Sequence, residues 1–92
     1  MSDAAGKDVM KIRYFAWVRE RVGKPEEDVA VPAEIGTVAE LIAWLSKRGE
    51  EYAYAFENPG VIRAAIERVH VKPHTALNGA SEIAFFPPMT GG

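Results

Sequence analysis

The chain has 92 residues, with 11 Lys and Arg against 13 Asp and Glu, and it contains no cysteine. This length suits one small domain around a single core, and the formal charge of −2 excludes the basic excess on which non-specific nucleic-acid binding depends. The missing cysteine excludes disulfides, cysteine metal sites and a cysteine nucleophile.

The amino-terminal segment lacks the apolar stretch of a signal peptide, and no apolar run is long enough to span a bilayer. We therefore expect a cytoplasmic protein with no membrane partner. Residues 1–8 are small or polar and are predicted to form a disordered leader. One folded domain over residues 9–88 and a tail over residues 89–92 complete the predicted organisation.

The domain opens with a predicted strand over residues 10–16. Ile12 and Tyr14 fall on one face of this strand with Ala16, whereas Phe15 falls on the other face with Lys11 and Arg13. Burial of the first face would leave Phe15 as an exposed aromatic residue.

A short helix is predicted over residues 17–22, because Val18 and Val22 lie one turn apart and Gly23 suits the position after a helix. A second strand over residues 27–31 stops at a proline. We expect it to pair with the first strand as a hairpin.

The clearest helix begins at Thr37, where the Thr37-x-x-Glu40 spacing predicts a capping box. One apolar stripe follows at i, i+3, i+4 and i+7, and it consists of Val38, Leu41, Ile42 and Leu45. Lys47 and Arg48 are expected in the last turn, and Gly49 is expected to end the helix.

The second half of the chain is less regular. Residues 50–60 suit a short helix through Tyr52, Ala55 and Phe56, or a strand through Tyr52, Tyr54 and Phe56. Residues 61–71 are β-branched enough for one or two strands, Asn78-Gly79 is a turn dipeptide, and residues 82–86 form a last strand. This order predicts an α+β fold with a mixed sheet packed on one main helix, in which the first and last strands pair in parallel.

The carboxyl terminus carries the strongest functional signal. Pro87 and Pro88 cannot continue a ladder and direct the chain into an extended path. A flexible tail follows that consists of Met89, Thr90, Gly91 and Gly92. Terminal glycines fit where a partner closes tightly around the backbone. This shape is typical of a chain whose reactive group is its own terminal carboxylate, which another protein would activate by adenylation.

Two segments carry a resemblance to a known family. Residues 84–92 read AFFPPMTGG and residues 15–23 fit F-A-x-x-R-E-x-x-G. Together with the start of the main helix at residues 37–41, they resemble the small, sulfur-carrying subunit of molybdopterin synthase. The resemblance covers most of residues 10–92 and implies a ubiquitin-like β-grasp fold.

The resemblance implies a carrier that is not catalytic alone. An E1-like adenylating enzyme would activate the Gly92 carboxylate with ATP, and a sulfurtransferase would supply the sulfur for a thiocarboxylate. The large catalytic subunit, in a 2+2 heterotetramer, would then take up the tail and pass the sulfur to a cyclic pterin precursor. Two carriers would be needed for each pterin. No tightly bound cofactor and no metal site are expected.

The last strand and its neighbours supply the expected partner-binding residues. Ile83 and Phe85 should face the core, which leaves Phe86 on the opposite face with Phe15. An exposed aromatic pair beside a functional tail is a candidate docking patch, and the resemblance extends it to Pro87, Pro88 and His70.

The chain departs from the family pattern at three places. Residues 80–82 are Ala-Ser-Glu where the family has G-D-E, residues 62–68 replace a V-A-V-N-type strand, and His70 stands where an apolar residue is usual.

Other functions stay open at this stage. A sister carrier for thiamine, cysteine or tRNA thiolation shares the fold, a ubiquitin-like modifier would form isopeptide bonds, and a plain interaction module would have an inert tail. The spacing of His70 and His74 would suit a metal on a helix, but Pro73 argues against a helix there.

Overall fold

The structure, a computed structural model, describes residues 7–88. These residues form five strands, three α-helices and one 3₁₀ turn: β1 (Lys7–Tyr14), α1 (Ala16–Val22), β2 (Glu26–Pro32), α2 (Val38–Leu45), α3 (Glu50–Ala55), the 3₁₀ turn (Pro59–Val61), β3 (Arg63–Ile66), β4 (Val69–Val71) and β5 (Glu82–Phe86). The last two residues of the segment predicted as a leader therefore lie in β1.

The five strands form one mixed sheet in the order β2-β1-β5-β3-β4. β1 pairs with β2 and β3 pairs with both β4 and β5 in antiparallel fashion, whereas β1 and β5 run parallel at the centre of the sheet. A parallel pair needs a long crossover. The segment with α2 and α3, between the β1–β2 and β3–β4 pairs, supplies it. The predicted α+β, β-grasp architecture is confirmed.

Helix α2 packs its apolar stripe against the sheet, and the four predicted stripe residues are all buried. The capping box is present: the Thr37 hydroxyl accepts from the Glu40 N–H at 3.2 Å, and a Glu40 carboxylate oxygen accepts from the Thr37 N–H at 3.2 Å. These bonds satisfy two of the otherwise unpaired donors of the first turn.

The predicted end of α2 is wrong. The helix ends at Leu45, because the Arg48 N–H bonds to the Leu45 carbonyl three residues earlier and so tightens the chain out of the α-helix. Lys47 and Arg48 therefore lie beyond the last turn, and Gly49 caps the start of α3.

The open choice over residues 50–60 is decided in favour of the helix. In α3 Tyr52 and Ala55 are buried, and Phe56 follows directly as a buried residue. The Phe56 ring lies 5.4 Å from that of Phe85, edge to face, and 6.4 Å from that of Tyr14. An edge-to-face contact of this kind is favourable, so this ring ties α3 to the two central strands.

The hairpin between β3 and β4 turns at Glu67 and Arg68, whose φ angles are +50° and +72°. Two residues of positive φ are what a type I′ turn requires, and Asn-Gly is the usual pair. Here the Glu67 carboxylate accepts hydrogen bonds from the Ser81 N–H (2.7 Å) and hydroxyl (2.8 Å). Glu67 and Ser81, which lie in two of the segments that depart from the family pattern, are therefore in direct contact.

This turn predicts opposite effects for two neighbouring substitutions. Arg68→Gly should raise the free energy of unfolding by roughly 0.5–1 kcal/mol, because glycine adopts positive φ without the penalty of a Cβ. Glu67→Gly relieves the same kind of penalty, but it should lower the free energy of unfolding because the stronger effect is the loss of the hydrogen bonds from Ser81. Urea denaturation of both variants tests the pair, and two shifts of the same sign would contradict this account.

Candidate functional site

The strongest candidate site is the place where the chain leaves the sheet. The Phe15 N–H donates to the Phe85 carbonyl at 3.1 Å, so the ends of the two central strands are held together. Pro87 and Pro88 follow β5 as half-buried residues outside any strand. Any tail that follows Pro88 therefore starts from the end of the central parallel strand pair.

The four predicted tail residues lie outside the described residues: Met89, Thr90, Gly91 and Gly92. Their predicted chemistry stays a prediction. What the described residues define is the surface around the exit.

β5 alternates as predicted. Ile83 and Phe85 are fully buried beneath the helices, while Ala84 and Phe86 are half-buried on the opposite face of the sheet, here called the outer face. Phe86 therefore presents part of its ring on the outer face, one residue before Pro87.

Phe15 lies at the same end of the sheet and is 45% exposed. Among the described residues, however, the ring partner of Phe86 is His70, at a centroid distance of 5.1 Å, rather than Phe15. Phe15 caps the start of α1, and Ala16 follows with a φ of +55°. Among the described residues the exit is therefore flanked by a Phe86–His70 contact and, separately, by the exposed ring of Phe15.

Two cations that the sequence reasoning did not single out complete this surface. Arg63 is the cross-strand neighbour of Phe86, so the two side chains leave the sheet on the same side. Lys72 directly follows β4, and both cations are exposed. They line a cleft of about 190 Å³ together with Ile42 and Val71, and this cleft lies between α2 and the β3–β4 edge of the sheet. Only the strand register reveals this proximity, since β3 and β5 lie far apart in sequence.

The other half of the outer face is neutralised within the chain. Lys11 contacts Glu26 at 3.2 Å and Asp28 at 3.6 Å, and Arg13 contacts Glu26 at 3.3 Å and Glu82 at 3.7 Å. These exposed pairs contribute little to stability, but they leave little unbalanced charge on this half of the sheet.

A separate polar cluster is centred on Glu27. One oxygen of its carboxylate accepts hydrogen bonds from the Tyr14 and Tyr52 hydroxyls, at 2.7 Å each, and lies 3.3 Å from an Arg48 nitrogen. Lys24 contacts the other oxygen at 3.4 Å. Both tyrosines are buried, so this carboxylate satisfies hydroxyls that have lost their water.

The electrostatics of this cluster follow from its neighbours. Burial alone would raise the pKa of Glu27, but hydrogen bonds from Tyr52 and Tyr14 and the charges of Arg48 and Lys24 outweigh it, so the pKa is lowered. Burial, followed by the Glu27 carboxylate, raises the pKa of Tyr14. The cluster lies under α3 and serves the fold.

Within residues 7–88 no three His, Asp or Glu side chains converge as metal ligands would. No helix among the described elements has the length and apolar character needed to cross a bilayer.

Comparison with known proteins gives one family. The model of the ThiS family matches residues 12–92. Two curated relatives, from Escherichia coli K12 and Haemophilus influenzae, are both named molybdopterin synthase sulfur carrier subunit. They are 37% and 30% identical over 84 residues, which cover 91% of this chain and 100% of each relative.

A solved structure supports the same grouping. It is described as a putative molybdopterin converting factor, subunit 1, from Pyrococcus furiosus. It matches with a TM-score of 0.69 and 25% identity, over 89% of this chain and 99% of that one. The match therefore includes nearly the whole of that structure.

Proposed function

The chain belongs to the ThiS family, and on this basis we propose that it is the sulfur carrier subunit of a molybdopterin synthase. In this proposal it has no catalytic activity of its own and works in the cytoplasm. The observation that carries the proposal is the way the chain leaves the sheet. The end of β5 is hydrogen-bonded to Phe15 at the end of β1, and Pro87 and Pro88 follow it, with Gly91-Gly92 at the end of the sequence. The full-length coverage of two relatives with that name supports it.

The proposed chemistry takes place at the Gly92 carboxylate. Attack of a carboxylate oxygen on the α-phosphorus of ATP forms the acyl adenylate and releases pyrophosphate. A sulfide-level donor, supplied through a sulfurtransferase, then displaces AMP and leaves a thiocarboxylate. Transfer of that sulfur to the cyclic pterin precursor, with hydrolysis of the acyl bond by water, restores the carboxylate. An E1-like enzyme carries out the activation, and the large subunit holds the pterin in a 2+2 assembly.

Intact-mass measurement tests this chemistry directly. The full chain is incubated with ATP, the adenylating enzyme and a sulfide donor, and its mass is expected to rise by the difference between a sulfur and an oxygen atom. A variant without Gly92 should show no change. An unchanged mass of the full chain, or reductant-resistant conjugates to lysines on a denaturing gel, would contradict the proposal and favour an inert module or a modifier.

The exposed part of Phe86 is expected to anchor the complex with the large subunit. Removing a buried aromatic anchor at an interface typically costs 2 kcal/mol or more, so Phe86→Ala should weaken affinity by about 30-fold. Tyr54→Ala is a matched control, since Tyr54 is 52% exposed on α3, away from the outer face. Titration calorimetry measures both, and equal affinities for the Phe86 variant and the wild type would remove Phe86 from the interface.

A further inference from the structure

The charges on the two sides of the sheet are divided unequally. On the β1–β2 side, Lys11 and Arg13 are matched by carboxylates at 3.2–3.7 Å. On the β3–β4 side, Arg63 and Lys72 have no carboxylate within 4.0 Å among residues 7–88. The guanidinium of Arg63 donates to the Gly60 carbonyl at 3.3 Å, which fixes its position without cancelling its charge.

These two cations, here called the basic edge, border the tail exit. Arg63 lies across from Phe86, the last residue of β5, and Lys72 shares its cleft. A protein that takes up the tail must approach within the length of the tail, about 13 Å for four extended residues. The basic edge therefore faces that protein at close range. The chain as a whole carries a net charge of −2, so this local excess of positive charge runs against its overall balance.

We propose that the basic edge docks on carboxylates that border the tail-accepting pocket of the large subunit, so that Arg63 and Lys72 select a partner of acidic rim. The inference rests on the proposed function and adds to it the chemistry of the partner surface. Phe86 supplies the apolar contact, and the cations supply orientation and fast association, since rim charges act mainly on the association rate. The shared cleft lies beside the outer face, between α2 and the β3–β4 edge, and its apolar residues Ile42 and Val71 would contact the stem of an acidic side chain that enters it.

Charge reversal with a matched control tests this. Arg63→Glu/Lys72→Glu is compared with Lys47→Glu/Arg68→Glu, which makes the same change in net charge at two exposed cations away from the exit. Affinity of the full chain for the large subunit of the same organism is measured by interferometry over a range of salt concentrations. The basic-edge variant should bind at least about tenfold more weakly at low salt, and the deficit should shrink as salt screens it.

Each result supports or opposes the inference. A control pair that weakens binding as much as the basic-edge pair, or a wild-type affinity independent of salt, would overturn it while leaving the proposed function intact. A wild-type chain that does not bind the large subunit would overturn both. Circular dichroism checks that each variant is folded. If the charge-reversal variant is unfolded, the neutral variant Arg63→Gln/Lys72→Gln replaces it, and this variant is expected to lose a smaller share of the affinity.

Discussion

Deletion of Gly91 and Gly92 is expected to abolish synthase activity while the domain stays folded. The deletion moves the terminal carboxylate back by about 7 Å along an extended chain. A displacement of even 1 Å in a reacting group costs about a hundredfold in rate, so activity should fall below detection. The core draws on β1, β2, β3, β5 and the helices, all of which precede Pro87, so the melting temperature should change by no more than a few degrees.

The measurement is conversion of the pterin precursor by the reconstituted large subunit with each carrier. Deletion of Ser2 and Asp3 is a control of equal length at the other terminus, and its activity should equal that of the full chain. Precursor conversion by the carrier that lacks Gly91 and Gly92 would show that the sulfur does not travel on the terminal carboxylate.

The largest expected effect on stability comes from Glu27→Ala. This change leaves the buried Tyr14 and Tyr52 hydroxyls without their acceptor and removes the carboxylate beside Arg48. Unpaired buried donors cost about 1–3 kcal/mol each, so a loss of about 3 kcal/mol is expected. Glu26→Ala, one residue earlier on β2, is the control, because its ion pairs lie on the exposed face and its effect should be much smaller.

The same carboxylate makes stability depend on pH. The pKa of Glu27 is lowered in the folded state, so its contribution is fully present above the unfolded pKa of about 4.3 and is lost as the pH falls through the lower folded value. The stability gap, which is the difference in free energy of unfolding between the wild type and Glu27→Gln, should therefore shrink as the pH falls below about 4. Urea denaturation between pH 3 and pH 7 measures this gap, and a gap that stays constant would exclude Glu27 as a source of acid sensitivity.

Local signals in the sequence were sufficient for much of the fold. The capping box at Thr37, the apolar stripe of α2 and the alternation of β5 each depend on residues a few positions apart, and each is confirmed. The end of α2 was not predictable in this way. Arg48 lies beyond the helix, where it contacts Glu27 on β2, and this contact joins residues 21 positions apart in sequence.

In the candidate site, too, some features could be predicted from neighbouring residues and others could not. The Pro-Pro exit and the Gly-Gly ending consist of consecutive residues, so the sequence alone determined which family the chain resembles and predicts the terminal carboxylate as the reactive group. Tertiary structure decided the surface around that exit. It replaced the expected Phe15–Phe86 pair with a Phe86–His70 contact and brought Arg63 and Lys72 beside them. The physical reason is strand pairing: the register between strands distant in sequence, such as β3 and β5, sets which side chains are neighbours, and the pattern of either strand alone gives only the face of each side chain.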